Sequence, residues 1–298
     1  MSAEYREEPC RSALNRVEGM PFRWSLNPYM GCAHRCAFCY VRGFERRADR
    51  PSGNRYGLSI RVKVNVAEVL RDELSRASWW REEVAIGAAT DPYQPAEGRY
   101  RLTRACLKAL SAARTPFGIV TRGTLIIRDL DVLTEAARRA EVSVNFSVPT
   151  LDTEVWRVTE PATPPPRQRL RAMQRLVEAG IKAGIGMAPL LPGLSDDPVK
   201  IAEVVRAARD HGATFVWASL LYLKPGTREH FLDTVGRHWP EIAGHYAKLY
   251  ENRAYIARSE SDQTLERVAE MKRRFGIGDR RSQRLAPPPE AVQVLLPI

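Results

Sequence analysis

Three of the chain's five cysteines fall within eight residues, as Cys32-Ala-His-Arg-Cys36-Ala-Phe-Cys39-Tyr40. The spacing is C-x3-C-x2-C. Thiolate is a soft ligand, suited to zinc and above all to iron–sulfur clusters. Three thiolates on one short loop can each take a different iron of a 4Fe-4S cube, which leaves the last iron open to bind a substrate or cofactor. A structural zinc site is closed by four protein ligands. No second C-x2-C pair exists here, so zinc would have to recruit His34, Cys10 or a distant His such as His211. Cys10 and Cys106 stand alone and read as ordinary thiols. His211, His230, His238 and His245 share no ligand spacing. A Walker-type phosphate loop, a G-x-S-x-G elbow and an H-E-x-x-H helix are all absent, which argues against nucleotide hydrolysis, esterase and zincin chemistry.

Such a loop needs a frame. Short apolar runs alternate with amphipathic stretches along most of the chain. The pattern predicts strands at 22–26, 84–89, 117–121, 142–148, 181–189 and 214–221. Helices are expected from 66, with Asn65 as N-cap, and at 102–113, 126–140, 167–179 (stopping at Gly180) and 198–210. In the helix over 126–140, Leu130, Leu133 and Ala137 share a face. Strands separated by helices of this length indicate a parallel sheet with right-handed crossovers. The expected fold is therefore α/β, with about six β-then-α units closing into a barrel or open barrel. Chemistry in such folds gathers at the carboxyl ends of the strands. The cysteine loop, Thr90-Asp91, Thr121-Arg122, Ser147 and the stretch from Leu190 onward all lie there. From about Gly226 only helices are expected, at 239–250 and 265–275, as a cap or outer layer.

The triplet, with the aromatic Phe38 just before its last Cys, resembles the radical S-adenosylmethionine (SAM) superfamily. The stretches Asn27-Pro-Tyr-Met-Gly-Cys32 and Ala89-Thr-Asp-Pro-Tyr-Gln-Pro-Ala-Glu97 are similar to the spore photoproduct lyase-like branch. The resemblance covers about Pro21 to Leu223. It implies a partial (β/α)6 TIM-like barrel as core over 21–225. Around that core the expectation is a tail at 1–20, a helical C-terminal extension over 226–285 and a second tail at 286–298. It implies a 4Fe-4S cluster on Cys32, Cys36 and Cys39, with S-adenosyl-L-methionine chelated on the open iron. Reductive cleavage would yield methionine and a 5′-deoxyadenosyl radical, which abstracts hydrogen from a substrate. The resemblance places Phe38 and Tyr40 beside the adenosine, with Tyr40 also catalytic. Thr90 and Asp91 would face the methionine amino group and Arg122 its carboxylate. Asn145 and Ser147 would meet ribose hydroxyls or the carboxylate, and Ala188 the adenine through its backbone. A low-potential donor of flavodoxin or ferredoxin type is implied as partner. The characterised lyases also use a hydrogen-donor Cys near the position of Ala88 or Ala89, and tyrosines on both sides of the third cluster Cys. Here Phe38 takes one of those places, so thymine-dimer repair by that relay is not expected.

Composition sets the remaining bounds. Of 298 residues, 44% are hydrophobic and 27% charged, a globular balance. No apolar run nears the ~18 residues of a membrane span, and the start lacks a secretory pattern. A cytoplasmic protein without membrane partners is expected. Lys plus Arg exceeds Asp plus Glu by 46 − 35 = 11. Arg42 to Lys63 and Arg267 to Arg284 each hold seven basic and two acidic residues. Such stretches suit phosphate contacts or a solvated surface. Nucleic acid is the first substrate class to consider. The alternative is a non-catalytic iron–sulfur or zinc protein that binds nucleic acid.

Overall fold

Six parallel strands carry the molecule. The computed structural model describes residues 3–278. Its strands are β1 (Glu4–Glu8), β2 (Leu14–Arg16), β3 (Trp24–Leu26), β4 (Tyr29–Met30), β5 (Ser59–Lys63), β6 (Val84–Ile86), β7 (Phe117–Thr121), β8 (Val142–Ser147), β9 (Lys182–Leu190) and β10 (Val216–Leu220). The main sheet runs β10-β9-β8-β7-β6-β3-β2, parallel throughout except for the antiparallel β2–β3 pair. With β10 at one end and β2 at the other, the barrel is open. At the β10 end, Val216 N donates to Gly278 O at 3.1 Å. The helices are α1 (Val41–Arg47), α2 (Val66–Leu74), α3 (Pro95–Tyr100), α4 (Leu102–Ala112), α5 (Leu130–Arg139), α6 (Thr153–Thr159), α7 (Pro166–Glu178), α8 (Pro198–Asp210), α9 (Arg228–His238), α10 (Pro240–Leu249) and α11 (Arg258–Phe275). This is the expected α/β architecture of a partial (β/α)6 barrel.

Side-chain alternation explains the layers. Along β8, Val142, Val144 and Phe146 join the core under the helices. Ser143, Asn145 and Ser147 take the opposite, inward face. On β9, Ala183, Ile185 and Met187 face out, while Gly184 and Gly186 face in. The inner glycines make room: a Cβ on Gly184 would lie 2.6 Å from the Phe215 ring, and one on Gly186 2.8 Å from the Trp217 indole. A polar, side-chain-poor interior results, wrapped by an apolar shell of Leu70, Leu107, Leu110, Leu133, Leu170 and Val205.

Three expectations need correction. Residues 1–20 are not a simple tail. β1 pairs parallel with β5, and β2 pairs with β3. β1 reads Glu-Tyr-Arg-Glu-Glu, with no apolar alternation to announce a strand. Backbone pairing and contacts from α2 hold this segment instead. Asn65 stands at the N-cap of α2, yet its side chain makes no cap bond. Its Oδ1 accepts from Cys10 N at 2.7 Å and its Nδ2 donates to Cys10 O at 3.1 Å. Glu73 accepts from Ser12 Oγ, Ala13 N and Leu14 N. Second, the helix expected over 126–140 begins as a 3-10 turn, Thr124–Asp129. Within α5 the buried face is Val132, Leu133 and Ala136, while Ala137 is exposed and Leu130 only partly buried. Third, the segment expected from about Gly226 as a cap or outer layer holds a further helix, α9, and α9 and α10 pack on the cysteine loop. They form a second core with the cysteine loop, described below. The tail expected at 286–298 lies outside the described residues.

Replacing Asn65 by Ala removes both bonds to Cys10. The expected cost is about 1–2 kcal/mol in urea unfolding. Amide exchange should rise most over residues 4–10; uniform exchange would count against this clasp.

Candidate metal centre

The cysteine loop runs from β4 into α1, and its backbone is pinned from the end of β6. Thr90 Oγ1 donates to Gly31 O at 2.6 Å, and Gln94 Nε2 donates to the same carbonyl at 3.1 Å and to Thr90 Oγ1 at 2.9 Å. Gln94 Oε1 accepts from Ala33 N at 3.0 Å. Asn27 Oδ1 accepts from Ala89 N at 2.8 Å, and Tyr29 Oη donates to Glu97 Oε2 at 2.5 Å. Thr90, Gln94, Asn27, Tyr29 and Glu97 are all buried. The two sequence stretches that carried the branch resemblance therefore grip each other. Gly31 is required here: its φ is +85°, and a Cβ would stand 3.0 Å from Ser59 O.

The other side of the loop is held by residues that sequence reasoning missed. Arg42, taken as one charge of a basic stretch, is 2% exposed. Its guanidinium donates to Cys36 O and Arg35 O (both 3.1 Å) and to Ser52 O and Gly53 O (both 2.8 Å). Ala37 N donates to Thr159 O at 2.8 Å, and Thr227 Oγ1 to Cys39 O at 3.0 Å. Cys36 and Phe38 pack into a cluster with Phe231, Val235, Trp239 and Tyr246 from the segment of α9 and α10. Apolar spacing in α9 is too sparse to show this from sequence.

Cys32 and Cys36 are buried, and Cys39 is half-buried. Burial pushes the Cys36 thiol up to about 12, with Arg122 pulling the other way. Cys32 is driven well above the ordinary range by burial, then by Asp91 and the two other cysteines. Such sulfurs ionise only against a strong positive partner, which iron supplies. A fixed backbone bearing three sulfur donors fits an iron–sulfur cluster. Among the described residues, no three His, Cys, Asp or Glu side chains converge as ligands of a single ion do. The thiols that grip a cube sit farther apart than that.

The other expected site residues ring the same end of the barrel, with varied freedom. Asp91 is saturated. Its Oδ1 accepts from Thr121 Oγ1 at 2.7 Å and Tyr93 N at 2.9 Å, and its Oδ2 from Arg122 N at 2.7 Å. His34 Nδ1 lies 3.1 Å from Oδ2, without hydrogen-bond angles. Thr90 is spent on the loop. Arg122 Nε donates to buried Glu160, its Nη2 reaches Ala188 O at 3.4 Å, and its Cζ stands 5.5 Å from the Phe38 ring centroid. Glu160 also accepts from fully buried Arg169 at 3.0 Å, and Arg169 donates on to Ser147 O at 2.8 Å. Glu160 and Arg169 gave no sequence signal beyond their types. Asn145 Oδ1 accepts from Trp217 Nε1 at 2.7 Å, but its fully buried Nδ2 has no partner. An orphan donor facing the barrel interior is costly unless something binds there. Tyr40 Oη donates to Ala88 O. Its ring begins a series with Tyr222 (6.0 Å between centroids) and Tyr255 (a further 5.4 Å).

Residues 26–205 match the family model described as Radical SAM superfamily. Uncharacterized protein Rv2578c of Mycobacterium tuberculosis (strain ATCC 25618 / H37Rv) is 39% identical over 99% of this chain and 86% of its own length. Uncharacterized protein MJ0683 of Methanocaldococcus jannaschii is 24% identical over 74% of this chain and 77% of its own. Among solved structures, a spore photoproduct lyase mutant with bound AdoMet and dinucleoside spore photoproduct superposes with a TM-score of 0.68. It covers 91% of this chain and 79% of that chain, at 15% identity. That likeness speaks to the fold.

Asp91 generates a pH prediction. Burial pushes its carboxyl up, but the neighbouring His34 imidazole, with hydrogen bonds from Thr121 and Arg122, outweighs burial and holds it at about 2. A depressed carboxyl stabilises the fold above its unfolded value of 3.8, and that contribution is lost as pH falls towards about 2. The stability gap between the parent and Asp91→Asn should therefore narrow by roughly 2 kcal/mol from pH ~5 to pH ~2. Urea unfolding at both pH values checks it; a constant gap would refute it.

Proposed function

The chain belongs to the radical SAM superfamily and is an enzyme of it; on that premise we propose that Cys32, Cys36 and Cys39 hold the 4Fe-4S cluster and that the barrel interior receives S-adenosylmethionine. The family implies both groups, which when bound supply reductive cleavage of the sulfonium and a 5′-deoxyadenosyl radical for hydrogen abstraction. One observation carries the assignment: three sulfur donors on a loop whose backbone is fixed by buried Thr90, Gln94 and Asn27. The unpartnered Nδ2 of Asn145 offers a donor to a ribose hydroxyl or carboxylate, with Ser147 on the same strand face. Arg122 contributes positive charge while braced by Glu160. Ala188 presents backbone, and Phe38 an aromatic wall. Thr90 and Asp91 act by positioning, since their oxygens are already engaged.

Tyr40 stands at the mouth of this interior. Burial, then Cys39, push its phenol above the ordinary range, so it stays protonated at neutral pH and able to give up hydrogen. The series Tyr40–Tyr222–Tyr255 leads from there to solvent, with Tyr255 59% exposed. Flat rings stack on such a series whatever their edges carry, so a nucleobase is a fitting substrate. A low-potential flavodoxin- or ferredoxin-type donor would supply the electron.

The non-catalytic alternative leans on the basic stretches from Arg42 to Lys63 and from Arg267 to Arg284, of which the second runs beyond the described residues. In the first, Arg42 and Lys63 are buried, Arg50 and Arg61 meet Glu45, and Arg46 meets Glu229. Most of the charge of that first stretch is buried or paired, which favours the enzyme.

Anaerobic reconstitution tests the proposal. Iron should load, its spectra should change on adding S-adenosylmethionine, and dithionite should release 5′-deoxyadenosine. Cys36→Ala should abolish all three. Asn145→Ala should weaken S-adenosylmethionine binding by roughly 10-fold, the loss of one buried donor. An iron-free parent protein, or a fourth side chain on the cluster, would overturn it.

A further inference from the structure

The loop between α1 and β5 touches Cys32 and Cys39, and Arg42 of α1 joins it to Cys36. Arg42 joins Cys36 O to Ser52 O and Gly53 O. Gly57, at φ +74°, packs so closely that a Cβ would stand 2.3 Å from Cys32 O. Between these contacts lies Tyr56, 1% exposed, whose Oη is 3.3 Å from Cys39 Sγ. The Arg42 guanidinium sits 4.5 Å from its ring centroid. Nothing in the sequence distinguishes Tyr56 from an ordinary loop aromatic.

We propose that Tyr56 is a positioning residue for Cys39 and, through a hydrogen bond to its sulfur, raises the reduction potential of the cluster. The inference rests on the cluster assignment of the preceding subsection. With free thiols, either atom of the pair can donate. A sulfur bound to iron has no proton, so the hydroxyl must then be the donor. Among the described residues, Cys39 Sγ is the hydroxyl's one hydrogen-bond partner. Arg42 over the ring adds positive potential on the same side. Reduction adds negative charge to the cluster. A donor aimed at a ligand sulfur stabilises that charge more in the reduced than in the oxidised form.

The test is an anaerobic redox titration of the reconstituted full chain without S-adenosylmethionine, followed by electron-spin resonance. Tyr56→Phe should load as much iron as the parent and titrate at a more negative potential. The chain with 3-fluorotyrosine at position 56, a stronger acid and donor, should titrate at a more positive one. Two potentials equal to the parent's, or shifts of the same sign, would overturn the proposal. If Tyr56→Phe does not load iron, the fluorotyrosine arm decides alone: a positive shift supports it and no shift overturns it. A parent chain that takes up no cluster overturns the cluster assignment itself, and this inference with it.

Discussion

The carbonyl of Gly31 accepts two hydrogen bonds, from Thr90 and from Gln94, and the placement of the cysteines depends on that shared acceptor. A loop this short has little apolar surface of its own to bury. Beyond the packing of Cys36, Ala37 and Phe38 against α9 and α10, it is fixed by buried polar groups, where each bond is strong and each missing partner is expensive. The two donors lie on the segment that leads from β6 into α3, with Gln94 at the N-cap of α3, so the loop is referenced to the barrel and not to solvent. Asn27 and Glu97 repeat the arrangement at either side, tying each motif to the other in both directions.

Buried charge organises the next shell. Arg122, Glu160 and Arg169 form a triad beneath the cysteines, with two cations to one carboxylate. Asp91, bonded to the backbone of the same Arg122, also accepts from Thr121 Oγ1 and Tyr93 N. Buried ions of this kind add little net stability, because desolvation opposes their attraction. Their value here is geometric. They leave Asn145 Nδ2 as a donor in the barrel interior to which no neighbour on the chain answers.

Much of the barrel was legible because its strands are apolar runs of the right length with helices between them. The strand at 117–121 and the helix at 198–210 lie where periodicity put them. The cysteines were legible by chemistry alone. What stayed hidden shares one cause: function carried by contacts distant in sequence. Asn65 looked like a cap and is a clasp for Cys10; Arg42 looked like surface charge and is a bracket for four carbonyls. Thr90 and Asp91 stand out in sequence by their motif, and the bonds they make are to the loop and to the end of β7, which spacing could not reveal. β1 is invisible to hydrophobic patterning, since Glu4, Arg6 and Glu7 leave it almost no apolar face.

An open barrel has two unsatisfied margins, each a template on which a foreign strand could grow. Here one margin ends in β2, three residues long and running against its neighbour. At the other, the backbone around Gly278 returns to occupy the amide of Val216. The fold thus blunts both rims with short stretches of its own chain, and it guards against edge-to-edge polymerisation without having to close the cylinder.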